Sequence, residues 1–181
     1  MVKHWSGNPR RVFSMMSLKP SHLEEIVNWF GTGEPNKDED ALLARMYTEF
    51  RRQYRPLWNS GDIETLVMTV NRVPVFCVNF LRLVEPGGSL PAGGSAAHIY
   101  LLSCPQVRGS GRLLLLAWQA ATVHAFLRMG LSVVQAAVDA ENTEENEALL
   151  TLGYKWEESV SETAGRMNVY RCRKEEMKVV M

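Results

Sequence analysis

The sequence has no surplus of either charge: 20 Lys and Arg balance 20 Asp and Glu. A broad nucleic-acid footprint needs a basic excess, so nucleic acid is disfavoured as a partner. Cysteine is scarce. Cys77, Cys104 and Cys172 are an odd number without metal-ligand spacing. That argues against a disulfide framework and a thiolate-held metal, and the simplest reading is a reduced, cytoplasmic protein with no metal. No apolar run approaches the ~20 residues of a membrane span, so no membrane partner is expected. Arg10 and Arg11 precede the apolar run VFSMMSL, which is too short for a secretion signal and is followed by Lys19 and Pro20. No internal repeat is evident.

What is present fits one domain of 181 residues, 1–181, with 1–10 as a loose N-terminal segment. VFSMMSL (12–18) reads as a first strand. Ser21 and Glu24 have the form of a capping box, and Leu23, Ile26, Val27 and Phe30 share a helical face that stops at Gly31. From Asp38 the apolar positions recur at helical steps through Tyr54. Acidic residues fill the first turn and Arg51, Arg52 and Arg55 the last, which complements a helix dipole. The RRQYR cluster is therefore read as a helix end. ETLVMTV and VPVFCVNFLRLV form a hairpin through Asn71-Arg72. EPGGSLPAGGSA is a Gly/Pro-rich surface loop. Then come a strand (AAHIYLLS), a helix through about Met129, a strand (LSVVQAAVD), a short helix (NTEENEALLTLG) and two strands (YKWEESVS, RMNVYRCRK). The expected class is α/β or α+β around a mixed sheet.

The chemistry concentrates in SCPQVRGSGR, residues 103–112, between an apolar strand and an apolar helix. A short glycine turn there leaves the first N–H groups of the helix unpaired and parallel, with the dipole adding positive charge. Such a cradle binds phosphate oxygens. Gly109 and Gly111 allow close approach, and Arg108 and Arg112 can add charge. Two other nucleotide loops are excluded. No Gly-Lys-Ser/Thr is present for a Walker loop, and the third glycine of a dinucleotide fingerprint is missing.

Read with its flanks, PQVRGSGRLL resembles the acyl-CoA signature of the GNAT superfamily of N-acetyltransferases, Gln/Arg-x-x-Gly-x-Gly/Ala. VDAENTEENEALLTLGY adds Asn142, Gly153 and Tyr154 at matching distances from the next strand, where the family has Asn and Gly-Phe. The order of elements is similar over nearly the whole chain. The stretch YRPLWNSGDIETLVMTVNRVPVFCVNF looks like the branch that holds aminoglycoside 6'-N-acetyltransferases and siderophore-pathway acyltransferases.

The resemblance implies a mostly antiparallel sheet of about seven strands flanked by about four helices. A splayed strand pair, one strand containing Leu101 to Ser103 and the other starting near Leu131, would hold acetyl-CoA or another acyl-CoA as cosubstrate. It implies that backbone groups of Leu102 and Ser103 bond the pantetheine amides, with Ser103 helping to hold the thioester carbonyl. Gln106, Val107, Arg108, Gly109, Ser110, Gly111 and Arg112 would take the pyrophosphate, and Asn142 would reach the pantetheine arm. Asn142 also reads as a helix N-cap with Glu145 three residues on. The implied reaction is direct attack by the amine of a small molecule. Two usual catalytic positions are altered. Ala97 stands where many members carry an acid that acts as base, and Leu149 stands where many carry a tyrosine that protonates the leaving sulfur.

His98 is a candidate base, set against a satisfied structural histidine, and His124 reads as packing. Cys104, beside the thioester site, is conceivable as a covalent acyl-cysteine but reads better as a buried, inert thiol. Glu34, Asp38, Glu39, Asp40, Glu157, Glu158 and Glu162 would favour a cationic amine if they gather at the cleft; otherwise they are solvated charges. Trp29, Trp58 and Trp156 would be an aromatic wall or core residues. Exposed hydrophobic strands near the C-terminus would support a homodimer. The altered positions motivate a second expectation, a non-catalytic acyl-CoA-binding relative that senses or scaffolds.

Overall fold

The computed structural model describes residues 13–19, 22, 25, 26, 29, 63–83, 95–107, 109–162 and 165–180. Seven strands make one sheet: β1 Phe13–Ser17, β2 Ile63–Val70, β3 Val73–Leu83, β4 Ala96–Ser103, β5 Val133–Asp139, β6 Lys155–Glu162 and β7 Gly165–Arg173. Their order is β1-β2-β3-β4-β5-β7-β6. Every neighbouring pair is antiparallel except β4 and β5, which are parallel. Two α-helices occur among the described residues, α1 Gly111–Leu127 and α2 Thr143–Thr151. This is the expected mixed, mostly antiparallel sheet.

Of the four expected helices, the one over 38–54 lies outside the described residues, as do the loose segment 1–10 and nearly all of the Gly/Pro-rich loop. The helix before Gly31 is described only at His22, Glu25, Ile26 and Trp29. His22, Glu25 and Ile26 are helical, and Ile26 and Trp29 are buried in the core. Trp29 is thus a core residue rather than part of a cleft wall.

The β2–β3 turn forms as its sequence requires. Asn71 and Arg72 both take positive φ, 53° and 69°, the twist that a two-residue hairpin turn demands. Helix α1 crosses from β4 to the parallel β5, and its buried stripe is Ala117, Trp118, Ala121, Thr122, Ala125 and Phe126. Alanine every fourth residue lets the helix lie close on the sheet. The helix ends at Leu127, two residues before Met129. Gly130 takes φ 70°, and the Leu131 N–H donates back to the Ala125 carbonyl at 3.1 Å, a glycine-terminated C-cap. His124 packs against Phe80, as read from the sequence, and its Nε2 also lies 2.9 Å from Glu64 Oε1.

Helix α2 is held at both ends. Its Asn146 Nδ2 donates to the carbonyls of Asp139 and Asn142, while its Oδ1 accepts from Asn168 Nδ2 and Tyr170 Oη at 2.9 and 2.7 Å. One amide thus ties the start of α2 to the end of β5 and to β7. At the other end Gly153 takes φ 92°. Tyr154 follows, fully inside the core, where its hydroxyl lies 2.7 Å from Thr122 Oγ1. Thr122 spends its own proton on the Trp118 carbonyl, so Tyr154 is the donor. After β7 the chain returns beneath this corner. Lys178 N–H donates to the Leu152 carbonyl and Val180 N–H to Gln119 Oε1, at 2.9 and 2.8 Å.

A Cβ on Gly153 would run into the Glu176 carbonyl of that returning segment, at a φ that favours glycine. Gly153→Ala is therefore expected to cost about 2 kcal/mol or more, read as a lowered urea midpoint with an unchanged m-value.

Candidate functional site

The parallel pair β4–β5 is hydrogen-bonded only from Ala96↔Val133 to Ile99↔Ala136. Beyond that point β4 runs on to Ser103 against β3, and β5 runs on to Asp139 against β7. The two strands part, as expected, and leave a wedge between them. In it opens a cleft of about 470 Å³, within the size range of small-molecule sites. Leu101, Leu102 and Ser103 form one wall, with Val107, Gly109 and Leu114 at the turn. Asn142, Glu144 and Glu145, from the start of α2, form the other, and Phe76 closes the β3 side.

At the turn, β4 passes into a buried Cys104, a 3-10 turn over Pro105–Val107 and then α1. Ser110 N–H donates to the Val107 carbonyl, and the α1 ladder opens with Leu114 N–H donating to Ser110, both at 3.0 Å. The N–H groups of Gly111, Arg112 and Leu113 precede that first bond and have no partner within the helix. Ser110 makes no side-chain cap. Gly109 takes φ 78°, which its sequence position requires of a glycine. Cβ atoms built on Gly109 and Gly111 would meet nothing within 4 Å among the described residues, so no described group fills the space beside these N–H groups. An open helix N-terminus beside glycine backbone fits a diphosphate in its donors and its room.

Of the residues singled out from sequence, Leu102, Ser103, Val107, Gly109 and Asn142 come together as cleft lining. Gln106, Gly111 and Arg112 are exposed and Ser110 is half-buried along the same turn. Arg108 lies outside the described residues. Asn142 caps α2: its Oδ1 accepts from Glu145 N–H at 3.3 Å, and its Nδ2 donates to Glu145 Oε2 at 2.8 Å. Ala97 and Leu149 are fully buried, Ala97 under α1 and Leu149 on α2 within the core. Neither position looks into the cleft.

His98 faces away from α1. Phe80, which packs on α1, pairs with Ile99 across β3–β4, so odd positions of β4 face the helix and His98, Tyr100 and Leu102 face the other way. The His98 ring stacks on Tyr100 with centroids 4.3 Å apart. Its Nε2 is buried and has no hydrogen-bond partner among the described residues, contrary to the expected satisfied histidine. Burial pushes the imidazole down to about 4, so it is neutral at pH 7. The same face carries Gln135, opposite His98, and Arg171, whose Nε lies 3.0 Å from Glu157 Oε1. Glu157 is thus a paired charge. Trp156 is 55% exposed. Trp58 and the acids at 34 and 38–40 lie outside the described residues, as does the side chain of Glu162.

Sequence reasoning missed Glu145 as a cleft residue and read it only as a cap partner. The signal lay elsewhere, in Trp118. A buried indole N–H needs an acceptor, and Trp118 Nε1 donates to Glu145 Oε1 at 3.0 Å. That bond draws the carboxyl inward. Burial pushes it up to about 7, the Trp118 hydrogen bond holds it down only in part, and Asp139 nearby adds to the rise.

The His98 shift has a definite sign. In the unfolded chain the imidazole titrates near 6.5, in the fold near 4. Between those values the unfolded chain holds the extra proton, so acid favours unfolding. Urea midpoints of wild type and His98→Phe should diverge as the pH falls from 7.5 to 5, with the variant losing less stability.

No protein-family model matches the chain, and no curated protein matches it. Solved structures do match. RimJ of Mycobacterium smegmatis, in complex with CoA-disulfide, aligns with a TM-score of 0.70 at 13% identity, over 91% of this chain and 83% of that one. The spermidine N-acetyltransferase of Vibrio cholerae, in complex with CoA and spermine, aligns at 0.65 and 13% identity, over 91% and 96%. The N-acetyltransferase PseH of Campylobacter jejuni aligns at 0.61 and 11% identity, over 90% and 98%. At these identities the likeness speaks of architecture alone, and that architecture is the GNAT fold.

Proposed function

We propose that the protein is an acyl-CoA-dependent N-acetyltransferase, acetyl-CoA being the first donor to test, which acylates the amine of a small molecule. The observation that carries this reading is the wedge between β4 and β5, ending at the open N–H groups of Gly111 to Leu113. A thioester of coenzyme A supplies an activated acyl group and a diphosphate handle. Ser103 directs its backbone groups away from β3 into the wedge, where they can meet the pantetheine amides and the thioester carbonyl, whereas Leu102, expected to share this role, spends its backbone on Cys77 of β3 and lines the cleft by its side. Gln106 to Arg112 receive the diphosphate at the turn, and Asn142 borders the arm from α2. Residues 1–181 serve as one domain.

The protein's part in the chemistry is mainly to position the reactants. His98, neutral and with its Nε2 unpaired among the described residues, is a hydrogen-bonding group on the far side of β4 rather than a strong base. The acceptor amine then loses its proton to solvent. Buried Ala97 and Leu149 favour one alternative, an acyl-CoA-binding protein without turnover.

Thiol release from acetyl-CoA separates the two. Polyamines come first among acceptors, because a structural neighbour was crystallised with spermine. Aminoglycosides follow from the sequence of the front half, then amino acids and peptide N-termini. Acceptor-dependent thiol release is expected, and tight acetyl-CoA binding without it would favour the alternative. Gly111→Trp probes the cradle directly, since a Cβ at that position would meet no atom of the described residues within 4 Å. It should weaken CoA binding by calorimetry at least about a hundredfold with little change in Tm, and unaltered affinity would refute the placement of the diphosphate.

A further inference from the structure

Proton supply in the cleft points to a residue with no assigned role. When an amine displaces a CoA thiolate, the sulfur leaves as an anion whose conjugate acid has a pKa of about 8.5. Below that pH it must gain a proton. Among the described residues that line the cleft, only Glu144 and Glu145 are ionisable, and no Lys, Arg or His is among them. Glu144 is exposed to water. Glu145 is half-buried and fixed on both oxygens, Oε1 by Trp118 and Oε2 by Asn142. It sits one turn before the buried Leu149 on α2.

We propose that Glu145 protonates the departing thiolate, a claim that rests on the acyl-transfer reading above. The amine nitrogen forms a bond to the acyl carbon. The C–S bond breaks with its electron pair on sulfur, and sulfur takes the proton of the Glu145 carboxyl. The carboxylate regains a proton from solvent, which receives the one shed by the amine.

The surroundings keep that carboxyl protonated near neutrality. Asp139 faces it from β5 and Glu144 stands in its own turn, both negative. α1 presents the indole of Trp118, and the end of β4 presents Leu101 to Ser103, without a cation. The group accordingly titrates at about 7. An anionic diphosphate in the same cleft raises it further, by the same Coulombic argument.

Glu145→Gln keeps an oxygen for Trp118 and removes the proton. With acetyl-CoA and the best amine of the panel, wild-type kcat should fall as the pH rises past the Glu145 titration. In the variant kcat should drop roughly tenfold to a hundredfold at pH 7, and the alkaline limb should vanish. The defect should shrink with acyl thioesters whose thiols are more acidic. Tryptophan fluorescence supplies a readout independent of turnover. Wild type should show a transition near neutral pH that is lost in Glu145→Gln and in Trp118→Phe. If the variant does not fold, wild type alone decides: its dependence on leaving-thiol acidity should be steeper at pH 9 than at pH 6. A limb that persists in a folded variant, or equal steepness at both pH values, overturns the proposal alone. CoA binding without acceptor-dependent thiol release also overturns it and leaves cofactor binding intact. Failure to bind CoA overturns both readings.

Discussion

The structure depends on a hydrogen-bonded ladder that stops early. Four residue pairs join β4 to β5, and beyond Ile99↔Ala136 each strand is held only from its outer side. Backbone groups left unpaired inside a protein are costly, so this parting is sustained by its anchors. On one side β3 continues in register with β4 up to Ser103, and the Cys104 N–H donates to the Val75 carbonyl at 2.9 Å. On the other, Asn146 joins the end of β5 to α2 and β7. The core beneath α1 keeps the two halves from closing by collapse, because Trp118, Leu149 and Tyr154 already fill the space below.

The same packing explains why the cleft has an unusual electrostatic lining. Phosphate recognition usually recruits cations, yet the described lining carries two glutamates and none of its residues is basic. On the proposed function, attraction for the diphosphate rests first on helix-start N–H groups, whose partial charge does not need a side chain. Such a site tolerates a carboxyl only where that carboxyl is uncharged, and burial beside Trp118 moves Glu145 in that direction. Helix dipole and carboxyl are therefore compatible at neutral pH and increasingly opposed as the solution becomes alkaline.

Much of this was readable from residue order. The glycine spacing at 109 and 111, the Asn142 and Glu145 capping pair, the Asn71-Arg72 turn and the Gly153-Tyr154 corner each carry a local rule, and the structure obeys each. The β4–β5 parting came from resemblance, since no local pattern marks where two strands cease to pair. What escaped depended on facing. Strand alternation places His98 away from α1, but not that its Nε2 would lack a partner among the described residues. The capping box explains Glu145 through its backbone and says nothing of an indole 27 positions earlier that claims its side chain. Long-range side-chain pairing of this kind leaves no periodicity to read.

The burial of Cys104 has a kinetic corollary. Its thiol belongs to the core, at 3% exposure, and its backbone is tied to β3. A nucleophile must reach the acyl carbon, and this one is enclosed, while the one hydroxyl among the described lining residues, Ser103, has no histidine among them to take its proton. On the proposed function both substrates must be bound together before either product leaves. Initial rates plotted as double reciprocals against the two concentrations would then give intersecting lines, rather than the parallel set of a ping-pong enzyme.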